Sequence, residues 1–250
     1  MSVITQRHIG EQGGTVAEIT LDWPDVRNAL GPVEGRELRL ALEQALADES
    51  VGAIVLSANG KAFCAGGNLP AILELAKGGP DAVKDKVYGE FQGIFRAITT
   101  ARVPVITAVE GPAIGFGCDL ALAGNATFVG PSGWLAQGWI KAGLIPATGG
   151  TRYVKQRGGQ QAVYRMLEAD RVDGPTLEKW NLAIAADDAR AAALAMAAKF
   201  AGYPRAPLEA VVQLERIDDR AAHLEAALDY QVGFITHPDF AAFAAKLLGK

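Results

Sequence analysis

The segment Ala113–Leu120 combines a backbone suited to binding an anion with a single carboxylate. Gly115 and Gly117 allow a tight turn that leaves backbone N–H groups unpaired at the start of a helix, where the helix dipole also favours negative charge. Asp119 follows within the first helical turn, where an acidic residue often does no more than complement the dipole. The segment therefore predicts an oxyanion site, with Asp119 as either a helix-dipole partner or an acid/base group.

A second loop of small residues, at positions 61 to 69, offers a similar opening to a ligand. Its residues 65 to 67 leave room for close approach to the backbone, although such a loop taken alone is more often a mere turn. Both loops follow apolar, β-branched runs that predict buried strands, at Val51–Ser57 and Val103–Val109. Because ligands of open α/β sheets bind at the carboxyl ends of parallel strands, we expect the two loops to donate one N–H each to a single oxygen.

The elements that position these loops alternate between strands and helices. Period-two alternation predicts a half-buried strand at residues 15–21, and helical spacing of leucines and alanines predicts helices at 32–47 and 69–100, the latter broken at 78–80. This β-α-β-α-β-α order implies parallel pairing through right-handed crossovers. From about residue 150 the pattern is helical nearly to the end, which predicts a helical layer or an oligomerisation arm.

The composition is that of a soluble globular chain. Of 250 residues, 50% are hydrophobic and 21% charged, with a net charge of −4, which fits one α/β domain with a helical appendage. Two cysteines, Cys64 and Cys118, make no disulfide framework and favour a reducing cytoplasm, and neither has the setting of a metal ligand. The chain shows no signal peptide, membrane span or dense basic block, so we expect a cytoplasmic protein without membrane or nucleic-acid partners.

Four motifs in register resemble the crotonase, or enoyl-CoA hydratase/isomerase, superfamily from near residue 10 to the C-terminus. They are Asn28-Ala29-Leu30, then 62–69 (AFCAGGNL), 111–122 (GPAIGFGCDLAL) and 143–152 (GLIPATGGTR). The resemblance implies an α/β, (ββα)n superhelical core over residues 1–190, which carries the CoA and oxyanion site. It further implies a helical region over 191–250 for oligomerisation and pocket closure, a homotrimer or a hexamer built as a dimer of trimers, an acyl-CoA substrate, and no tightly bound cofactor or metal.

The resemblance also assigns roles to individual residues. The thioester oxygen is held by the backbone amides of Gly67 and Phe116, and the loop around Ala62 cups the adenine. Arg27 and Lys61 are candidate phosphate contacts, although both also suit plain surface charge. The residues assigned to CoA or acyl binding are Arg27, Ala29, Lys61, Ala62, Cys64, Ala65, Gly66, Asn68, Gly115, Gln137 and Trp139.

This chain departs from the typical hydratases of the family at the acid/base positions. Those enzymes use two glutamates, and here the first position is Asp119 while the second is Trp139, whose indole N–H only donates a hydrogen bond. Some relatives instead carry an aspartate after the proline of the fourth motif, where this chain has Ala147. Asp119 is thus the one family-position carboxylate. Trp139 is expected to shape the acyl pocket or simply to pack beneath the loop, and Gln137 to orient water.

One carboxylate leaves three hypotheses open. The first is a hydratase- or isomerase-type enzyme with Asp119 as acid/base, since a 1,3-proton shift needs one base, and hydration is possible if one group serves both steps through the same water. The second is other chemistry of a CoA enolate, such as decarboxylation or C–C cleavage. The third is a catalytically silent acyl-CoA-binding protein.

Overall fold

The computed structural model describes residues 2–10, 13–235, 238–240 and 242. Within these residues the β-strands are β1 (Ser2–Ile9), β2 (Thr15–Asp22), β3 (Val51–Ala58), β4 (Val105–Val109), β5 (Pro112–Ile114), β6 (Ala126–Val129), β7 (Trp134–Ala136), β8 (Val172–Asp173) and β9 (Ile184–Ala185). The α-helices are α1 (Pro32–Ala47), α2 (Leu69–Ala76), α3 (Gly79–Ala82), α4 (Gly89–Thr99), α5 (Phe116–Ala123), α6 (Gly150–Glu168), α7 (Gly174–Lys179), α8 (Ala189–Ala201), α9 (Arg205–Leu214) and α10 (Arg220–Ile235).

Two sheets organise the chain. The larger has the strand order β1-β2-β3-β4-β6-β9, in which every neighbouring pair except β1 with β2 is parallel. This confirms the parallel pairing that the alternation of strands and helices predicted. The smaller sheet, β5-β7-β8, was not predicted from the sequence, because strands of two or three residues are too short to show periodicity. It matters for function because it joins the segments before Gly115 and Gln137.

The two faces of the larger sheet are covered by different helices. On one face α1 and α4 pack over a large apolar core. On the other, Ala189, Ala193 and Ala197 of α8 are fully buried against the sheet. Their spacing of four places three small side chains on one helix face, which lets α8 lie close to the strands. A Cβ built on Gly52 of β3 would lie only 2.7 Å from the Cα of Ala201.

An ion pair between the buried Glu18 and the half-exposed Arg190 links α8 to the sheet. Glu18 of β2 has no exposed surface, and its carboxylate accepts hydrogen bonds from Ser57 Oγ (2.7 Å) and from Arg190 Nε (2.6 Å) and Nη2 (3.0 Å). His8 Nε2 lies 2.8 Å from the same carboxylate. Burial raises the pKa of Glu18, but these hydrogen bonds outweigh it and leave the pKa lowered.

The chain divides into two compact units, Met1–Gly202 and Tyr203–Lys250. The helix at 189–201, which the sequence analysis grouped with the C-terminal helical region, packs on the sheet of the first unit. In the second unit α9 and α10 pack on each other. Residues 236–237, 241 and 243–250 of the predicted C-terminal region lie outside the described residues. Its role in oligomerisation and pocket closure stays a prediction.

Candidate active site

The two glycine-containing loops predicted to share a site lie side by side. Cys64 N–H donates to the Pro112 carbonyl (3.1 Å), and Ile114 N–H donates to the Cys64 carbonyl (3.0 Å), so the loops pair like two short parallel strands. Gly117 makes this approach possible. A Cβ at position 117 would overlap the Cys64 carbonyl oxygen and lie 2.8 Å from the Cys64 Cβ.

Two backbone amides in these loops, those of Gly67 and Phe116, have no hydrogen-bond partner among the described residues. Gly115 has φ 54° and ψ −111°, a conformation that glycine adopts readily and other residues rarely do, and it ends the strand so that α5 begins at Phe116. The Phe116 ring is buried in the core, 4.6 Å from the ring of Phe91 between centroids. Position 116 therefore offers its amide to the site while its side chain anchors the helix.

Asn28 holds the loop at 61–69 in place and was not predicted as a site residue. It is fully buried, its Oδ1 accepts from Trp23 N–H (2.7 Å), and its Nδ2 donates to the carbonyls of Asn59 and Ala62 (2.9 Å each). Its φ of 54° lies in the left-handed region, which asparagine tolerates better than most residues. An asparagine before a small-residue segment is the local signal that marks such a turn.

The segment around Asn28 is hydrogen-bonded to the loop at 61–69, so the predicted CoA contacts of both segments lie together. Ala65 N–H donates to the Arg27 carbonyl (3.0 Å), and Leu30 N–H donates to the Gly66 carbonyl (2.9 Å). The residues differ in exposure as follows: Arg27 and Lys61 are exposed, Ala29, Ala65 and Asn68 are partly buried, and Ala62, Cys64 and Gly66 are buried. The exposed cations can reach a polyanion, while the small buried residues shape the backbone.

Two of these side chains, those of Asn68 and Cys64, are occupied within the protein. Asn68 caps α2, because its Oδ1 accepts from Ala71 N–H (3.3 Å). Burial raises the pKa of the Cys64 thiol to about 12, so the thiol stays protonated and unreactive. The contributions of both positions to ligand binding are therefore left to their backbone groups.

Asp119 is a fully buried carboxylate with specific partners. Its Oδ2 accepts from Thr148 Oγ1 (2.7 Å), and its Oδ1 accepts from Gln137 Nε2 (3.2 Å). A Cβ on Gly150, the first residue of α6, would overlap Oδ1 and lie 2.9 Å from Oδ2. The carboxylate thus sits at the N-terminus of α6. Asp119 also lies in the first turn of its own helix α5, so its interpretation as a dipole partner of α5 stays a prediction.

The environment of Asp119 brings its pKa into the range in which a carboxyl group can transfer protons near neutral pH. Burial raises the pKa of Asp119 to about 6, against the opposing effect of hydrogen bonds from Thr148 and Gln137. The Trp139 indole N–H and the Gly150 backbone also lower the pKa, although the Trp139 N–H does not reach hydrogen-bonding geometry. A carboxyl group with this pKa can both accept and return a proton near neutral pH.

Thr148 and Gly150 were not predicted as site residues. The signal available in the sequence is the glycine pair at 149–150 before a helical pattern, which marks a helix N-terminus able to hold an anion. Trp139 and Gln137, which were predicted, lie beside Asp119 and Gly115: a Cβ on Gly115 would lie 3.7 Å from Cε2 of Trp139. Gln137, Thr148, Gly150 and Trp139 thus surround the Asp119 carboxylate, close to the turn at Gly115.

The described residues contain no group of three or more His, Cys, Asp or Glu side chains placed to hold a metal ion. In the same part of the chain, no helix combines the length and apolar character needed to cross a membrane.

Comparison with known proteins identifies the family of the chain. The model of the enoyl-CoA hydratase/isomerase family matches residues 11–235. A protein of Mycobacterium tuberculosis named "Probable enoyl-CoA hydratase" is 37% identical over 193 residues, which span 76% of this chain and 73% of that protein. One of Rhizobium meliloti with the same description is 35% identical over 197 residues, covering 77% of this chain and 74% of that protein.

Solved structures give the same result for the fold. The crystal structure of an enoyl-CoA hydratase from Polaromonas sp. JS666 has a TM-score of 0.87 at 25% identity, covering 100% of this chain and 98% of that chain. The chain therefore belongs to the enoyl-CoA hydratase/isomerase family and has the crotonase fold. It is an acyl-CoA enzyme of the enoyl-CoA hydratase/isomerase type, and enzymes of this family act on CoA thioesters without a tightly bound cofactor.

Proposed function

We propose that this enzyme forms and consumes the enolate of an acyl-CoA thioester, with the N–H groups of Gly67 and Phe116 on the thioester oxygen and Asp119 as the acid/base. The observation that carries the proposal is a buried carboxyl group of pKa about 6 beside a loop junction with two unpaired amides. Backbone donors that are already in place stabilise charge as it develops on the oxygen, and removing one such donor commonly costs about 2.7–4 kcal/mol.

Asp119 performs both proton transfers in this scheme. As a carboxylate it removes a proton from the substrate or from water, and as the acid it returns a proton to carbon. Thr148 and Gln137 hold it through both steps, because each donates to a different oxygen. This single-carboxylate arrangement serves a lyase (hydration and dehydration) or an isomerase.

The acyl group and the CoA extend from this centre in two directions. A groove of about 940 Å³ is lined by residues of α3, α4 and the π-helical segment Val83–Tyr88 between them, and it reaches Ala147, next to Thr148. It suits the acyl chain. The exposed cations of Arg27 and Lys61 suit the CoA phosphates, and the loop at Ala62 to Ala65 suits the adenine. The assembly we expect is a homotrimer or a hexamer, which light scattering would reveal.

The experiment that tests the role of Asp119 uses crotonyl-CoA hydration and Δ3-to-Δ2 enoyl-CoA isomerisation. We expect Asp119→Asn to lower kcat for whichever activity the enzyme shows by about 10²–10⁴-fold, because general acid–base catalysis contributes that much. Asp170→Asn is the matched control, since the Asp170 side chain is 90% exposed and pairs with Lys141 at the surface. Activity that survives Asp119→Asn would disprove the assigned role. Failure to bind any CoA thioester would disprove the whole proposal.

A further inference from the structure

Two buried polar atoms beside Asp119 have no partner within the described part of the chain. They are the indole Nε1 of Trp139 and the side-chain carbonyl Oε1 of Gln137. Gln137 is 3% exposed, so its amide cannot turn to bulk solvent. Buried polar groups in folded proteins are nearly always hydrogen-bonded, and each exception calls for an explanation.

The orientation of both groups is fixed by chemistry. An ionised Asp119 only accepts hydrogen bonds, so Gln137 must present its NH₂ to it, and Oε1 then faces away as a free acceptor. The Trp139 indole can only donate. Its ring lies against Gly115, the residue before the Phe116 amide, and its N–H is near enough to Asp119 to lower the pKa of that carboxyl.

One unpartnered donor and one unpartnered acceptor next to a proton-transferring carboxylate match one kind of ligand atom. An oxygen that bears hydrogen can accept from the indole N–H and donate to the amide carbonyl. A ketone or ether oxygen satisfies the donor alone, and a CH₂ group satisfies neither. The pair therefore distinguishes water and hydroxyl groups from other substituents.

We propose that Trp139 Nε1–H and Gln137 Oε1 together bind the oxygen of a water molecule or of a hydroxyl group at the β-carbon of the acyl chain. This inference rests on the proposed function and deepens it, since it gives the single-carboxylate site a means of holding the oxygen that is added or removed. Trp139 takes the family position of an acid/base group but acts here as a hydrogen-bond donor.

The step that follows is a balanced hydration. Asp119 takes one proton from the bound water, the remaining hydroxide oxygen bonds to the β-carbon, and the C=C electrons move to give an enolate on the thioester oxygen. The protonated Asp119 then returns its proton to the α-carbon. The reverse sequence removes water from a 3-hydroxyacyl thioester. One carboxylate suffices because Trp139 and Gln137 hold the oxygen without exchanging protons.

The test compares two unreactive amide analogues of CoA thioesters, in which NH replaces sulfur: the 3-hydroxybutyryl and the butyryl compound. Calorimetry gives the ratio of their dissociation constants. In Trp139→Phe, which keeps an aromatic ring without the N–H, and in Gln137→Met, which keeps length without the carbonyl, the preference for the hydroxyl compound should fall by about 5-fold relative to wild type. Trp180→Phe is the matched control, because that ring lies beneath Arg165, 5.6 Å from its guanidinium carbon.

The outcomes separate this inference from the proposed function. A larger loss of affinity for the hydroxyl analogue than for the butyryl analogue, in both variants, supports the hydroxyl-binding pair. An unchanged ratio, or an equal loss of affinity for both analogues, overturns it, since a packing role would weaken both ligands alike. If neither analogue binds wild type, the proposed function itself fails.

Discussion

Gly117→Ala separates the contribution of the loop junction from that of every side chain in the site. Helix propensity alone predicts that this change in α5 stabilises the protein, by up to about 1 kcal/mol. The structure predicts the opposite, because the new methyl group would overlap the Cys64 carbonyl oxygen. To reach ordinary van der Waals contact, the loop carrying Gly67 would have to move by more than about 1 Å relative to the Phe116 amide.

The size of the effect follows from what that movement breaks. The Cys64 carbonyl accepts from Ile114 N–H, and Cys64 N–H donates to Pro112. Leaving such buried groups unpaired costs about 1–3 kcal/mol each. A misplacement of about 1 Å lowers the rate on the order of 10²-fold. This factor corresponds to about 2.7 kcal/mol, the lower end of the range of about 2.7–4 kcal/mol for the loss of one oxyanion donor. We therefore expect enolate formation to slow by about 10²–10³-fold and the free energy of unfolding to fall by about 2–4 kcal/mol.

The assay is exchange of the α-protons of butyryl-CoA with D₂O, followed by NMR. It reports on enolate formation whether the natural reaction is hydration or isomerisation. Gly233→Ala is the matched control, because it is also a helical glycine, in α10, and a Cβ there meets no described atom within 4 Å. If Gly117→Ala exchanges within about 3-fold of Gly233→Ala and unfolds at the same urea concentration, the close approach of the loops has no part in catalysis, contrary to the magnitude expected for a 1 Å shift.

Three further predictions rest on burial and charge. Because the pKa of Asp119 is raised, folding favours its protonated form, and the stability that this form contributes is fully present below the unfolded pKa near 4 and is lost as pH rises through about 6. The difference in unfolding free energy between wild type and Asp119→Asn should therefore fall by about 3 kcal/mol over this range. The rate of α-proton exchange should rise over the same range. Arg190→Ala removes the main partner of the buried Glu18 carboxylate, while Ser57 and His8 remain, so urea titration should show a loss of about 1–3 kcal/mol. Cys64 and Cys118 are fully buried with raised pKa values, so thiol reagents should label them only after unfolding.

Each of these has a clear contrary result. An exchange rate that stays flat between pH 5 and 7 would show that Asp119 is not the base. Arg7→Ala is the control for the ion pair, because the Arg7 side chain is 60% exposed and its loss should change stability by less than about 1 kcal/mol. If Arg190→Ala cost no more than Arg7→Ala, the pairing of Arg190 with Glu18 would not hold α8 on the sheet. Rapid labelling of the native thiols would show that the loop junction opens.

The sequence predicted the elements whose signals are local. The strands at 15–21 and 51–57 and the helix at 32–47 are confirmed, because each is long enough to show its period and is bounded by turn residues or proline. The crotonase fold is confirmed as well, through motifs that recur in register. The predicted break at 78–80 is also present, where α2 ends and α3 begins.

The parts that sequence reasoning missed depend on contacts between distant segments. The hydrogen bond of Thr148 to Asp119 spans 29 residues, and no local pattern indicates which helix start will receive a buried carboxylate. The sheet β5-β7-β8 was missed for the same reason, since its strands acquire their pairing only after the chain has folded back. The placement of α8 on the sheet rests on three alanines, whose small size favours close packing without specifying a partner.

The two amides at the loop junction carry one more consequence. Every amino acid except proline brings a backbone N–H to its position, so an alanine scan of this protein would pass over both donors without registering them. Phe116→Ala would report the loss of a core ring, and Gly67→Ala a crowded loop, because a Cβ there would lie 2.7 Å from Cδ1 of Ile72. Detecting the donors themselves requires removing the N–H, by proline or by an ester bond in the main chain.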